Sequence, residues 1–151
     1  MSSIREEVIL QCAPEEAFRE FADPLFTARI GFGAGSEVEV LFRDARFAQF
    51  RTRVPRPGRP IALESERIMA PESLTIVTLR RSLAAFRYNV IVDCFEPHES
   101  GTRFIHVDEF QPATHGAASE AALREMRETT RSFMEAVRDY FACARAAESR
   151  S

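Results

Sequence analysis

Apolar and polar positions along the chain keep changing their period. Residues 3–12 alternate as a strand does, while "APEEAFREFADP" repeats at helical spacing, with Pro14 suited to a first turn and Pro24 placed to stop the helix. "LFTARIGFGAGS" predicts a second short helix that ends where Gly31, Gly33 and Gly35 break it. Two-residue alternation then returns and predicts strands near 37–43, 46–54, 61–69, 73–81, 86–96 and 102–111, divided by "RDAR", "PRPGRP", "APES", "RSLAA" and "PHESG". "GAASEAALREMRETTRSFMEAVRDYFACARAA" closes the pattern as one long helix with no internal Gly or Pro. Ser119 is placed as its N-cap and Glu120 in its first turn. Ala122, Met126, Phe133, Val137, Tyr140 and Phe141 recur at steps of three and four and form one apolar stripe. One strand, one or two short helices, six strands in succession and a terminal helix predict a single α+β domain of antiparallel meander type over 1–151, with its core at about 3–147.

Parity along the strands raises two questions. In "PIALESERIMA" the odd positions Ile61, Leu63, Ser65, Arg67 and Met69 share a face, so an arginine sits among residues suited to an interior. Pairing with Glu64 or Glu66 at the rim would explain that arginine, although both acids lie on the opposite face. Over 86–96, hydrophobic alternation alone turns Phe86, Tyr88, Val90, Val92 and Cys94 inward, which makes Tyr88 a candidate hydroxyl donor. On the last strand Phe104, His106, Asp108 and Phe110 share one face. His106 titrates near neutrality and is a candidate for moving protons, with Asp108 about 7 Å along the strand.

Composition narrows the function classes. Hydrophobic residues make up 45%, but no apolar run approaches the ~20 residues of a membrane span. "MSSIREEVIL" has no basic segment followed by a long apolar core, so a cytoplasmic location is the expectation. The formal charge of −3 argues against nucleic acid as the main partner. All twenty basic residues are arginine, and "RFAQFRTRVPRPGR" reads as a solvated strand face rather than an RNA stripe. Cys12, Cys94 and Cys143 lack a C-x-x-C spacing, which argues against a disulfide framework or a zinc site. His98, His106 and His115 lack H-x-x-x-H spacing, and no G-x-G-x-x-G, P-loop or nucleophile elbow is present. No cofactor or metal is therefore expected.

The order of elements is that of the helix-grip (START/Bet v 1-like) fold, a seven-stranded antiparallel curved sheet wrapped around a long C-terminal helix. "SERIMAPESLTIVTLRRSLAAFRYN", "GTRFIHVDEFQP" and "EMRETTRSFMEAVRDYF" resemble the single-domain bacterial polyketide aromatase/cyclases from about Phe47 to Phe141, and the first strand and "APEEAF" also match. The resemblance implies a cavity between sheet and helix into which Arg67 projects, to hold carbonyl or enolate oxygens of a poly-β-ketone. It places Phe50 and Thr52 inward and leaves Arg51 and Arg53 to water. Leu74, Ile76, Thr78 and Arg80 line the next strand, Arg80 as a second cation that orients the chain. It also turns Asn89, Ile91, Asp93 and Phe95 inward, against simple alternation, with Asp93 then expected to pair with Arg67 or Arg80. Ser65, Met69, Phe104, Phe110, Met126, Thr130, Phe133, Met134 and Val137 complete the implied lining, with Thr130 the helix residue that leans toward function. The sequence departs from the family pattern at His106 and Asp93, where that pattern carries bulky aromatics; the chain has no tryptophan.

The implied activity is a cofactor-independent, lyase-type cyclisation of a poly-β-ketone presented by an acyl carrier protein, with Arg67, His106 and Asp108 as catalytic groups, in a monomer or homodimer. The alternatives are a non-catalytic carrier of a small hydrophobic ligand in the same cavity, and a domain that binds a partner through its exposed sheet.

Overall fold

Period-two alternation becomes strands and period-3.6 segments become helices in the computed structural model, which describes residues 2–31, 33, 35–82, 86–113 and 116–150. In chain order the elements are β1 (Ser2–Leu10), α1 (Pro14–Ala22), α2 (Phe26–Arg29), β2 (Glu37–Arg43), β3 (Phe47–Val54), β4 (Ile61–Ala70), β5 (Thr75–Ser82), β6 (Phe86–His98), β7 (Gly101–Pro112) and α3 (Ala117–Ser149). The strands form one seven-stranded sheet in the order β1-β7-β6-β5-β4-β3-β2, antiparallel throughout. This is the helix-grip arrangement. No described helix is long and apolar enough to cross a membrane.

Several boundaries differ from those read off the sequence. β5 begins at Thr75 rather than at 73, because Leu74 takes a positive φ of 49° in the turn that joins it to β4. The N-cap of α3 is Gly116, not Ser119: at φ 64°, ψ −137° the chain enters the helix through a conformation that glycine tolerates, and Ser119 falls inside the first turn beside Glu120. Part of the "RSLAA" division and His115 lie outside the described residues.

Two irregularities decide which residues face inward. The ladder slips between Arg80 and Ser82 on β5, and between Phe86 and Tyr88 on β6. Phe86 is therefore buried as alternation predicts, yet from Asn89 onward the buried set is Asn89, Ile91, Asp93 and Phe95. Tyr88 belongs to the outer face. Val77, Val90, Val92 and Val107 also lie there, half-buried against one another, which is why apolarity alone points to the wrong parity.

The core is concentrated at one end. Ala17, Phe18 and Phe21 on α1 meet Phe26, Phe95 and Phe104; Phe95 and Phe104 stack with centroids 5.1 Å apart. Of the predicted stripe of α3, Val137 and Phe141 are buried, joined by Met134 from beside it, each contributing about 1.5–3 kcal/mol on transfer from water, while Ala122, Met126, Phe133 and Tyr140 are half-buried. α3 packs mainly on β1, with a smaller contact to β7. The inner-facing Val38, Thr52, Ile61 and Leu63, on the strands farther across the sheet, stay only half-buried. Arg56, in the β3–β4 connection, reaches across to Glu125 of α3 at 2.9 Å.

Candidate functional site

Cross-strand register places the polar residues of the inner face in three rows. Met69, Ile76, Asp93 and His106 form one, Arg67, Thr78, Ile91 and Asp108 the next, and Ser65, Arg80, Asn89 and Phe110 the third. Residues directly opposite share a face. Strand parity is thus enough to gather two arginines, two aspartates and a histidine within the protein.

Arg67 is held at three points. Its Nε donates to Thr78 Oγ1 at 3.1 Å and its Nη1 to the Phe21 carbonyl at 2.8 Å, while the guanidinium carbon lies 4.9 Å from the Phe50 ring centroid. Phe21 lies in the last turn of α1, whose carbonyls have no partner within the helix, so the cation also caps that helix. Burial pushes the Arg67 pKa down to about 10, and Asp93 opposes that shift; the group remains a cation at neutral pH. The remaining N–H groups of Arg67 have no acceptor among the described residues. The pairing with Glu64 or Glu66 outside is not formed, since Glu64 faces outward and meets Arg51 at 3.5 Å.

Arg80 is arranged differently. Its Nε donates to Asn89 Oδ1 at 2.6 Å, its Nη2 lies 3.6 Å from Asp108 Oδ2, and Phe86 stands beside it. Asn89 in turn donates from Nδ2 to Asp108 Oδ1 and to the Glu109 carbonyl. This fully buried amide thereby joins cation to carboxylate. Burial lowers the Arg80 pKa, and Asp108 and Asp93 counter the shift.

His106 does not pair directly with Asp108, in keeping with the roughly 7 Å between alternate residues of one strand. Its partner is Asp93, directly opposite on β6, with Nδ1 and Oδ1 2.6 Å apart. Asp93 likewise takes neither arginine as its hydrogen-bond partner. The imidazole is 5% exposed and packs near the Phe133 ring. Burial opposes the imidazolium, but the charge and hydrogen bond of Asp93, helped by Asp108, outweigh it and raise the His106 pKa above 6.5. Nε2 has no partner among the described residues.

Other expected positions vary. Phe50, Met69, Phe104, Phe110 and Met134 are buried, and Thr52, Met126 and Phe133 are half-buried. Ser65 is 3% exposed and its Oγ has no hydrogen-bond partner among the described residues. Thr130 is buried, yet its hydroxyl donates to the Met126 carbonyl at 2.8 Å, so helix backbone bonding accounts for it. Tyr88, on the outer face, is removed from the cluster. His98 accepts from the Ser100 N–H and holds a turn. Buried Cys12, its thiol pushed up to about 11 chiefly by burial, stays protonated at neutral pH. Sequence reading missed the Asp93–His106 pair; the signal was their matched departure from the family pattern.

Two recesses among the described residues lie away from Arg67 and Arg80. One, of about 400 Å³, is lined by Cys12, Glu16, Gly101 and Arg145; the other, of about 270 Å³, lies by Glu39, Arg51 and Arg53. The described cluster is a bonded polar layer of largely buried side chains on the inner face, with Arg67 and Arg80 half-buried.

No protein-family model and no curated protein matches the chain by sequence. Solved structures match it by shape. The Zhui aromatase/cyclase from Streptomyces sp. R1128 aligns with TM-score 0.79 at 15% identity, over 93% of this chain and 93% of that one. A Thermus thermophilus protein, TTHA0849, aligns with TM-score 0.78 at 17% identity, over 95% and 99%. Ara h 8.0201 aligns with TM-score 0.72 at 10% identity, over 94% and 98%. At such identities the likeness establishes the fold.

Proposed function

We propose that this chain is a cofactor-independent polyketide aromatase/cyclase, acting on a poly-β-ketone delivered by an acyl carrier protein. One observation carries the reading: the two positions at which the sequence departs from the aromatase/cyclase pattern, Asp93 and His106, are directly opposed and hydrogen-bonded inside the protein. A carboxylate that fixes an imidazole by Nδ1 leaves Nε2 as the basic atom, which is the geometry of a general base. The fold shared with Zhui supports the same reaction class.

The chemistry follows from the charges. His106 Nε2 removes a proton from a methylene flanked by two ketones, and the imidazolium is stabilised by Asp93. The carbanion attacks a second ketone carbon, forming the ring bond, and the negative charge moves to that ketone's oxygen. Arg67, with N–H groups free to donate, stabilises the oxyanion; a fixed donor of this kind is worth a few kcal/mol of barrier. The imidazolium returns its proton to the alkoxide; removal of a neighbouring methylene proton with departure of the hydroxyl as water then forms a ring double bond, and enolisation of the ring ketones completes the aromatic ring. Arg80, neutralised by Asp108, orients the chain.

The test is a reconstituted minimal polyketide synthase supplied with wild-type protein, Arg67→Met or Asp93→Asn. Wild type should shift the mixture toward one cyclised product, and each variant should lose at least about tenfold of that selectivity, on the scale of one lost charge-stabilising donor. A product mixture unaltered by wild type would leave the carrier reading in its place.

A further inference from the structure

Thr78 is 2% exposed, and its Oγ1 accepts the Nε–H of Arg67. A hydroxyl carries a proton as well as lone pairs. With a lone pair turned to Arg67, the proton points elsewhere, and among the described residues no acceptor receives it. A valine of the same shape would pack without that cost, because an unsatisfied buried donor is destabilising unless something accepts it. Ser65, diagonally across on β4, is equally buried and its Oγ is unpartnered, and Arg67 has N–H groups to spare. Around Arg67 the unpartnered groups are therefore donors, while the nearby carboxylates of Asp93 and Asp108 are engaged by His106 and by Asn89 and Arg80. The complement of these donors is a ligand that presents oxygens.

Arg67 and Thr78 are directly opposite on adjacent strands, which sets their Cβ atoms about 5 Å apart. The donor groups themselves are closer, with Thr78 Oγ1 3.1 Å from Arg67 Nε, and two donors so near each other suit the neighbouring oxygens of a 1,3-diketone. Accepting from a cation also polarises the Thr78 O–H and strengthens it as a donor. We infer that Thr78 is a substrate-binding residue whose hydroxyl donates to the keto oxygen adjacent to the one held by Arg67, so that the pair selects 1,3-diketones over single ketones. This rests on the cyclase reading for its substrate and deepens it.

Benzoylacetone and butyrophenone test the idea, since they share a skeleton and differ by one carbonyl oxygen. Binding is followed by calorimetry on the intact protein. Wild type should bind benzoylacetone about tenfold more tightly, the order expected for one polarised hydrogen bond. Thr78→Val should lose that preference, and a circular dichroism spectrum that matches wild type shows that the variant is folded. Thr78→Ser should restore the preference. A Thr78→Val protein that keeps the preference, or a wild type that shows none, overturns the assignment. Selectivity for the diketone without any effect on the products of the reconstituted synthase would uphold Thr78 and remove the cyclase reading instead.

Discussion

Arg67 shows how far a single residue can be read from parity. An odd position in β4 sufficed to send it inward, but its acceptors, the Phe21 carbonyl and Thr78, come from elements 46 and 11 residues away. His106 makes the same point more sharply: Asp108, two residues along its strand, is too far for a direct pair, and its partner Asp93 lies across the sheet. Gly101 is the clearest steric requirement. At φ 137° an added Cβ would stand 2.2 Å from the Leu10 carbonyl oxygen, a backbone atom that cannot give way cheaply. Gly101→Ala should therefore destabilise the protein by at least about 2 kcal/mol, the range of strained or overpacked sites, measured as a lowered urea midpoint. A midpoint within error of wild type would mean that the β6–β7 turn adapts.

At the level of elements, helices and strands were legible because their periods differ, and α3 was legible because its stripe repeats from Ala122 to Phe141 within a segment free of Gly and Pro. The face of β6 was not legible from alternation, since outer-face valines are as apolar as the inner set and the bulge after Phe86 switches parity without marking the composition. The resemblance to aromatase/cyclases, which compares whole segments, gave the right face. Between α3 and the β3–β4 connection the ion pair Arg56–Glu125 is a contact no periodicity predicts. Its side chains are 47% and 59% exposed, so solvent screens it. A double-mutant cycle with Arg56→Ala and Glu125→Ala should give a coupling of no more than about 1 kcal/mol, falling toward zero in high salt. A larger, salt-insensitive coupling would show that this pair fastens the helix to the sheet.

The whole molecule divides into an aromatic end around Phe21, Phe95 and Phe104 and a charged layer around Arg67, Arg80, Asp93, His106 and Asp108. Burying that layer ties stability to pH. Because the His106 pKa is raised above 6.5 in the folded state, its contribution is fully present below 6.5 and is lost as pH rises through the folded value. The stability difference between wild type and His106→Gln should shrink over that rise, and a difference constant with pH would remove the Asp93 interaction as its cause. Element order, the parity of the strands other than β6 and the inward course of Arg67 were set by the sequence alone, since each depends on local period and on side-chain alternation. Which carboxylate meets which base, where α3 begins and which hydroxyls are left without acceptors were decided by the tertiary structure. These depend on register between strands distant in sequence, and a bulge of one residue reverses register while leaving the pattern of apolar positions unchanged.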